Sequence, residues 1–82
     1  MLLAECAQAA GNRPLAAKLY VAVFRRYGNL AAGEIALFAA ARLRANMGHG
    51  ARARTLFDRY LARYPRGRFV SNVRQRLRRL AP

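Results

Sequence analysis

Hydrophobic residues recur at helical spacing in two segments of the chain, Arg13 to Tyr27 and Ala51 to Tyr64. In each segment, apolar or aromatic residues follow the i, i+3, i+4, i+7, i+8, i+11 pattern of an amphipathic helix. Both segments are therefore predicted to be helices whose aromatic residues pack in the core. The residues that form the two stripes are Ala16, Leu19, Tyr20, Val23, Phe24 and Tyr27, and then Ala53, Leu56, Phe57, Tyr60, Leu61 and Tyr64.

Residues that start and stop helices lie at the ends of these segments. Asn12 is predicted to cap the first helix, and Pro14 is tolerated in its opening turn. Gly28 and Pro65 are predicted to end the two helices at equivalent positions, one by flexibility and the other by removing a hydrogen-bond donor.

The remaining segments are also predicted to be helical. Ala31 to Met47 is apolar on most sides, which indicates a helix lying between neighbours. Gly48 to Gly50 is a short break suited to the turn of a helix pair. Arg68 to Leu80 has one apolar face and one face of arginines, which is typical of a terminal capping helix. A short first helix is predicted over Leu2 to Ala10. The fold class is thus all-α, with about five helices in antiparallel hairpins.

The chain repeats itself when it is shifted by 37 residues. A period of this size indicates stacked helical hairpins. We expect one domain over residues 1–82, with a truncated first repeat at 1–28, a second repeat at 29–65 and a capping helix at 66–82. The first repeat is expected to be truncated because the partners of residues 34–37 would precede Met1. The matched pairs are Ala4 and Ala41, Gly11 and Gly48, Ala16 and Ala53, Leu19 and Leu56, Tyr20 and Phe57, Phe24 and Leu61, Arg26 and Arg63, and Tyr27 and Tyr64.

The order of small and large residues in this repeat resembles the tetratricopeptide repeat (TPR) of α-solenoids. Ala41, Gly48, Ala53, Phe57 and Pro65 stand where that family has its small, turn, small, aromatic and proline positions. The earlier copy supplies Ala4, Gly11, Ala16 and Tyr20, with Gly28 in place of the proline.

The long spacing between hairpins is similar to that of bacterial envelope repeats. These include the outer-membrane-assembly lipoproteins of the BamD type and the periplasmic coordinators of the Tol-Pal system. The resemblance implies a non-enzymatic scaffold that binds a protein or peptide in a concave groove lined by the first helix of each hairpin. The positions that it assigns to partner binding are Ile35, Phe38, Arg42, Ala45, Gln75 and Arg79.

Charge adds a second possibility for the partner. The chain has sixteen basic residues and three acidic ones, which gives a net charge of +13. Such a balance draws a protein toward anionic partners such as acidic proteins, nucleic acid or lipid headgroups, although arginine-rich codon usage explains it equally well. The alternative function is therefore a small basic protein that binds nucleic acid or another anionic surface. Its expected contact residues are Arg74, Arg76, Arg78 and Arg79.

Catalysis, metal binding and a membrane span are not indicated. His49, Asp58 and Ser71 show no spacing that would support a hydrolytic triad. Cys6 and His49 are too few for a metal site, and no motif indicates a cofactor. No apolar run approaches the roughly 20 residues that span a bilayer. As written, the chain is expected in the cytoplasm, or in the periplasm or envelope if it belongs to a longer exported protein.

Overall fold

The computed structural model describes residues 11–80, and regular structure within this range is entirely helical. Consecutive helices pack against one another and are joined by short turns. The predicted helices over this range are confirmed, with ends that differ by at most two residues. The short helix predicted over Leu2 to Ala10 and the match at Ala4 lie outside the described residues. The helices are α1 (Arg13–Tyr27), α2 (Ala31–Asn46), α3 (Gly50–Arg63) and α4 (Val70–Leu80).

The backbone repeats at the starts of α1 and α3, where the sequence repeats. Gly11 and Gly48 both adopt a left-handed conformation, with φ of 82° and 78°. This region favours glycine because it has no Cβ. The next residues, Asn12 and His49, also share a conformation, with φ/ψ of −91°/74° and −90°/64°. Asn12 caps α1 as predicted, since its side-chain oxygen accepts a hydrogen bond from the Leu15 amide at 3.3 Å.

Helix α2 lies between α1 and α3, and it is buried on most sides, as predicted. One face of α2 packs on α1 in a cluster rich in small residues, here called the alanine cluster. It comprises Ala16, Ala17, Tyr20, Ala36, Ala39, Ala40 and Leu43.

The opposite face of α2 packs on α3 and α4 through larger side chains, here called the aromatic cluster. Phe57, Tyr60 and Val73 are fully buried there. The side chain of Leu56 packs against both clusters, so the two halves of the core are continuous. The aromatic cluster comprises Leu37, Phe38, Ala41, Ala53, Phe57, Tyr60 and Val73.

A carboxylate on α2 fixes the loop that leads into α4. Tyr60 donates its hydroxyl hydrogen to Glu34 Oε2 at 2.6 Å, and the backbone amide of Arg68 donates to the same oxygen at 2.9 Å. The backbone amide of Phe69 donates to the Tyr60 hydroxyl at 2.9 Å. Burial, followed by the hydrogen bond to Glu34, raises the pKa of Tyr60 to about 12. This network holds the start of α4 against α2 and α3.

Tyr27 does not pack in the core, contrary to the prediction, because 44% of its surface is exposed. Its repeat equivalent, Tyr64, is half-buried and meets Phe24 edge-on, with ring centroids 6.2 Å apart. The Tyr64 hydroxyl also donates to the Gly28 carbonyl at 2.7 Å. Tyr64 is thus covered by the turn between α1 and α2. Tyr27 has no corresponding turn against it within residues 11–80.

Candidate functional site

Phe38 is covered by the C-terminal part of the chain. Only 7% of its surface is exposed, and its ring stacks on that of Phe69, with centroids 4.3 Å apart and planes 9° from parallel. The Arg76 guanidinium lies 5.7 Å from the centre of the Phe38 ring. This burial corrects the expectation that Phe38 lines an open groove. Its ring is a core element that joins α2 to α4.

The other residues assigned to the concave groove lie on α2 and α4. Arg42, Gln75 and Arg79 are exposed, whereas Ile35 and Ala45 are half-buried. Ala45 packs against the aromatic cluster. A contribution of these residues to binding stays a prediction.

The arginines of α4 do not form one uniform strip. Arg74, Arg78 and Arg79 are exposed, but Arg76 is half-buried. Besides lying over Phe38, Arg76 donates from Nε to Asn72 Oδ1 at 3.0 Å. The structure therefore leaves three exposed arginines on α4 and gives Arg76 a packing role.

A groove that the sequence analysis did not predict runs between α1 and α3, with α2 at its base. It encloses about 730 Å³, within the usual range of ligand sites. Hereafter it is called the basic groove. Its lining residues are Lys18, Val21, Ala22, Arg25 and Arg26 from α1, Arg44 from α2, and Arg52, Thr55 and Leu56 from α3.

The basic groove carries five cationic side chains and no carboxylate of the described residues. Of the two acidic residues between 11 and 80, Glu34 is bonded to Tyr60 and Arg68, and Asp58 lies outside the groove. Clustered charges of one sign in a concave surface focus a positive potential on it. The groove is therefore suited to an anionic ligand.

Arg44 is the most deeply placed of these cations, with 8% of its surface exposed. Its Nη1 donates to Nδ1 of His49 at 3.4 Å, which is a long contact. This contact supplies no negative charge, and no carboxylate of the described residues lines the groove beside Arg44. Arg44 thus offers a largely buried cation whose accessible part lines the base of the groove.

Sequence reasoning missed this groove because its residues come from three helices. Lys18 and Arg25 lie outside the apolar stripe of α1, and Arg52 lies outside that of α3. A helical projection could have shown basic residues beside each stripe. It could not have shown that these two flanks face each other across α2.

Residues 11–80 contain no group of three or more His, Cys, Asp or Glu side chains that could hold a metal ion. None of the described helices is long and apolar enough to cross a membrane.

Comparisons with known proteins give no relative for this chain: no family model, curated protein or solved structure matches it. The resemblance to TPR proteins therefore remains a prediction made from the residue pattern.

Proposed function

We propose that this chain is a non-enzymatic interaction module, of TPR-like type, that binds a protein or peptide partner. The observation that carries the proposal is the basic groove, an open concavity supported by three packed helices. Its base contains the apolar side chains Val21 and Leu56, and cations flank them. Clefts that combine an apolar base with a few polar groups are the usual form of ligand sites.

The proposed site differs from the one that the resemblance implies. TPR proteins are expected to bind through the first helix of each hairpin, which here means α2 and α4. Phe38 is covered on that side, whereas the basic groove lies between α1 and α3, the second helices. Arg42, Gln75 and Arg79 remain exposed and would contact only a partner that extends around the stack.

Binding of an anionic surface is the second candidate function. It is supported by the exposed side chains of Arg74, Arg78 and Arg79 on α4, a helix that contains no acidic residue. A patch of this kind binds phosphates with an affinity that falls steeply as salt rises.

Panning a random peptide library against the purified chain tests the first function. The Phe57→Asp variant serves as the control, because a carboxylate in the aromatic cluster disrupts the fold. We expect peptides that bind the folded chain at about 0.15 M salt and not the control. Absence of any such peptide would contradict the proposal.

A filter-binding assay with random DNA and RNA tests the second function. Binding at low salt that disappears when Arg74, Arg78 and Arg79 are changed to glutamate would favour it. Retention of binding in that triple variant would exclude α4 as the anionic contact.

A further inference from the structure

We infer that the basic groove recognises an acidic peptide segment in which carboxylates flank one apolar side chain. This inference rests on the proposed function, since it specifies the partner of the same site. Three features of the groove carry it: an apolar base, a cationic rim and a buried arginine between them.

The base of the groove supplies an apolar contact surface. Val21 on α1 and Leu56 on α3 are half-buried, and both also pack against the alanine cluster. Their remaining surface faces the groove beside Ala22. Covering this surface with a leucine-sized side chain removes apolar area from water, which favours binding. The ligand therefore requires one apolar side chain at its centre.

The rim selects the charge of the ligand. Arg25 on α1 and Arg52 on α3 are exposed on opposite sides of the groove, and Lys18 lies on the α1 side. Arg26 is partly engaged, because its Nε donates to the Tyr27 hydroxyl at 3.2 Å. Carboxylates on either side of the apolar anchor would pair with these cations, which raises both association rate and specificity.

Arg44 strengthens the preference of the basic groove for a ligand that carries a carboxylate. Its buried guanidinium has one hydrogen bond to His49 and no carboxylate of the described residues beside it in the groove. A guanidinium binds a carboxylate through two parallel hydrogen bonds, and such pairs strengthen where water is excluded. A glutamate next to the apolar anchor would provide the anion that Arg44 lacks within residues 11–80.

The same groove is less suited to nucleic acid. None of the described residues that line it is aromatic, so unpaired bases would have no ring there on which to stack. Apart from Arg44, its base presents the apolar side chains of Val21 and Leu56, which a phosphodiester backbone would leave uncovered. A peptide with an apolar anchor satisfies both the base and the rim.

The test is a fluorescence-polarisation titration with a labelled peptide in which glutamates flank a single leucine. The groove variant carries Arg25→Glu and Arg52→Glu. Its matched control carries Arg54→Glu and Arg66→Glu, two exposed residues outside the groove and outside the other assigned sites, which changes net charge equally. Circular dichroism verifies that both variants are folded.

At about 0.15 M salt, where screening extends over about 8 Å, only nearby charges affect binding strongly. We expect the groove variant to lose about tenfold or more in affinity and the control to stay within about twofold. Arg44→Lys, which keeps the charge but removes the planar fork, should weaken binding several-fold.

Each of the following results would overturn the inference. Equal weakening in both double variants would show attraction to overall charge alone. Unchanged affinity after the peptide's leucine is replaced by alanine would show that the base is not used. Single-stranded DNA that binds as tightly as the peptide, and is lost in the groove variant, would assign the groove to nucleic acid.

Failure of this inference is distinguishable from failure of the proposed function. If library peptides bind the chain but acidic peptides do not, only the inference is contradicted. The same holds if the groove variant binds those library peptides with unchanged affinity. If no library peptide binds the folded chain, both fall.

Discussion

The two faces of α2 are packed by opposite means. Toward α1, the helix presents Ala36, Ala39 and Ala40, which meet Ala16 and Ala17 in the alanine cluster. Toward α3 and α4, it presents larger residues that meet rings in the aromatic cluster, including Phe57 and Tyr60. One helix thus joins an interface of small side chains to an interface of large ones.

This difference determines which substitutions each interface of α2 tolerates. Small side chains let two helix backbones approach closely, so the α1–α2 interface has no room for added atoms. Aromatic side chains contribute large buried areas, so the interface of α2 with α3 and α4 loses most when atoms are removed. The basic groove opens between the two helices that flank α2, and its shape depends on both interfaces.

Removal of a ring from the aromatic cluster should have the largest effect. Phe57 is fully buried, and Phe57→Ala should lower the free energy of unfolding by about 3–5 kcal/mol, the usual cost of such a cavity. Because small domains are stable by only about 5–15 kcal/mol, this variant should be close to unfolding. Urea denaturation followed by circular dichroism measures the change.

Leu30→Ala is the control for this prediction, because Leu30 is 59% exposed. It should shift stability by no more than about 0.5 kcal/mol. Similar losses in the two variants would mean that the aromatic cluster does not stabilise the fold.

The hydroxyl at the edge of the aromatic cluster should make stability depend on pH. The pKa of Tyr60 is raised to about 12, chiefly by burial, so the folded state holds this proton more tightly than the unfolded state does. The stabilisation that this protonated hydroxyl gives the folded state is complete below pH 10. It is lost as pH rises from about 10 to about 12, and the full loss is about 3 kcal/mol.

Urea midpoints measured across this pH range test the effect. Tyr60→Phe should be less stable near neutral pH, because Glu34 and the Phe69 amide lose a partner, but its stability should fall less steeply at high pH. A slope remains from Tyr64, whose pKa burial also raises. Identical slopes in the two proteins would contradict the assignment to Tyr60.

Much of the helical framework was predictable because it depends on local pattern. The apolar spacing predicted α1 and α3, Asn12 marked the start of α1, and the apolar surroundings of α2 indicated its central place. These features depend on residues within a few positions of one another, so a single sequence suffices to find them.

The site was less predictable because it depends on contacts between distant residues. Phe69 covers Phe38 from a loop that the Glu34–Tyr60 network holds in place, and residue spacing does not predict that network. Tyr27 and Tyr64 occupy the same place in the repeat, yet within residues 11–80 a turn packs on Tyr64 and none packs on Tyr27. Periodicity identifies the face on which a residue lies and does not identify what covers that face.

Close backbone approach at the turn between α1 and α2 gives the smallest of these effects. Gly33 is buried where α2 begins, and a Cβ there would overlap the backbone carbonyl of Tyr27. Helix propensity alone predicts that Gly33→Ala stabilises the protein by about 1 kcal/mol. The contact with Tyr27 involves backbone on both sides and cannot be relieved by a rotamer change, so we expect a net loss of about 1–3 kcal/mol instead.

Gly50→Ala is the matched control, since Gly50 also opens a helix but its added Cβ would meet only Leu80 Cδ2, at an ordinary 3.8 Å. This substitution should be neutral or stabilise the protein by up to about 1 kcal/mol, through the lower entropy of the unfolded chain. Thermal denaturation of the two variants in parallel separates propensity from packing. If both substitutions stabilise the fold, the turn between α1 and α2 can open at no cost, and the close approach of Gly33 to Tyr27 does not constrain the packing there.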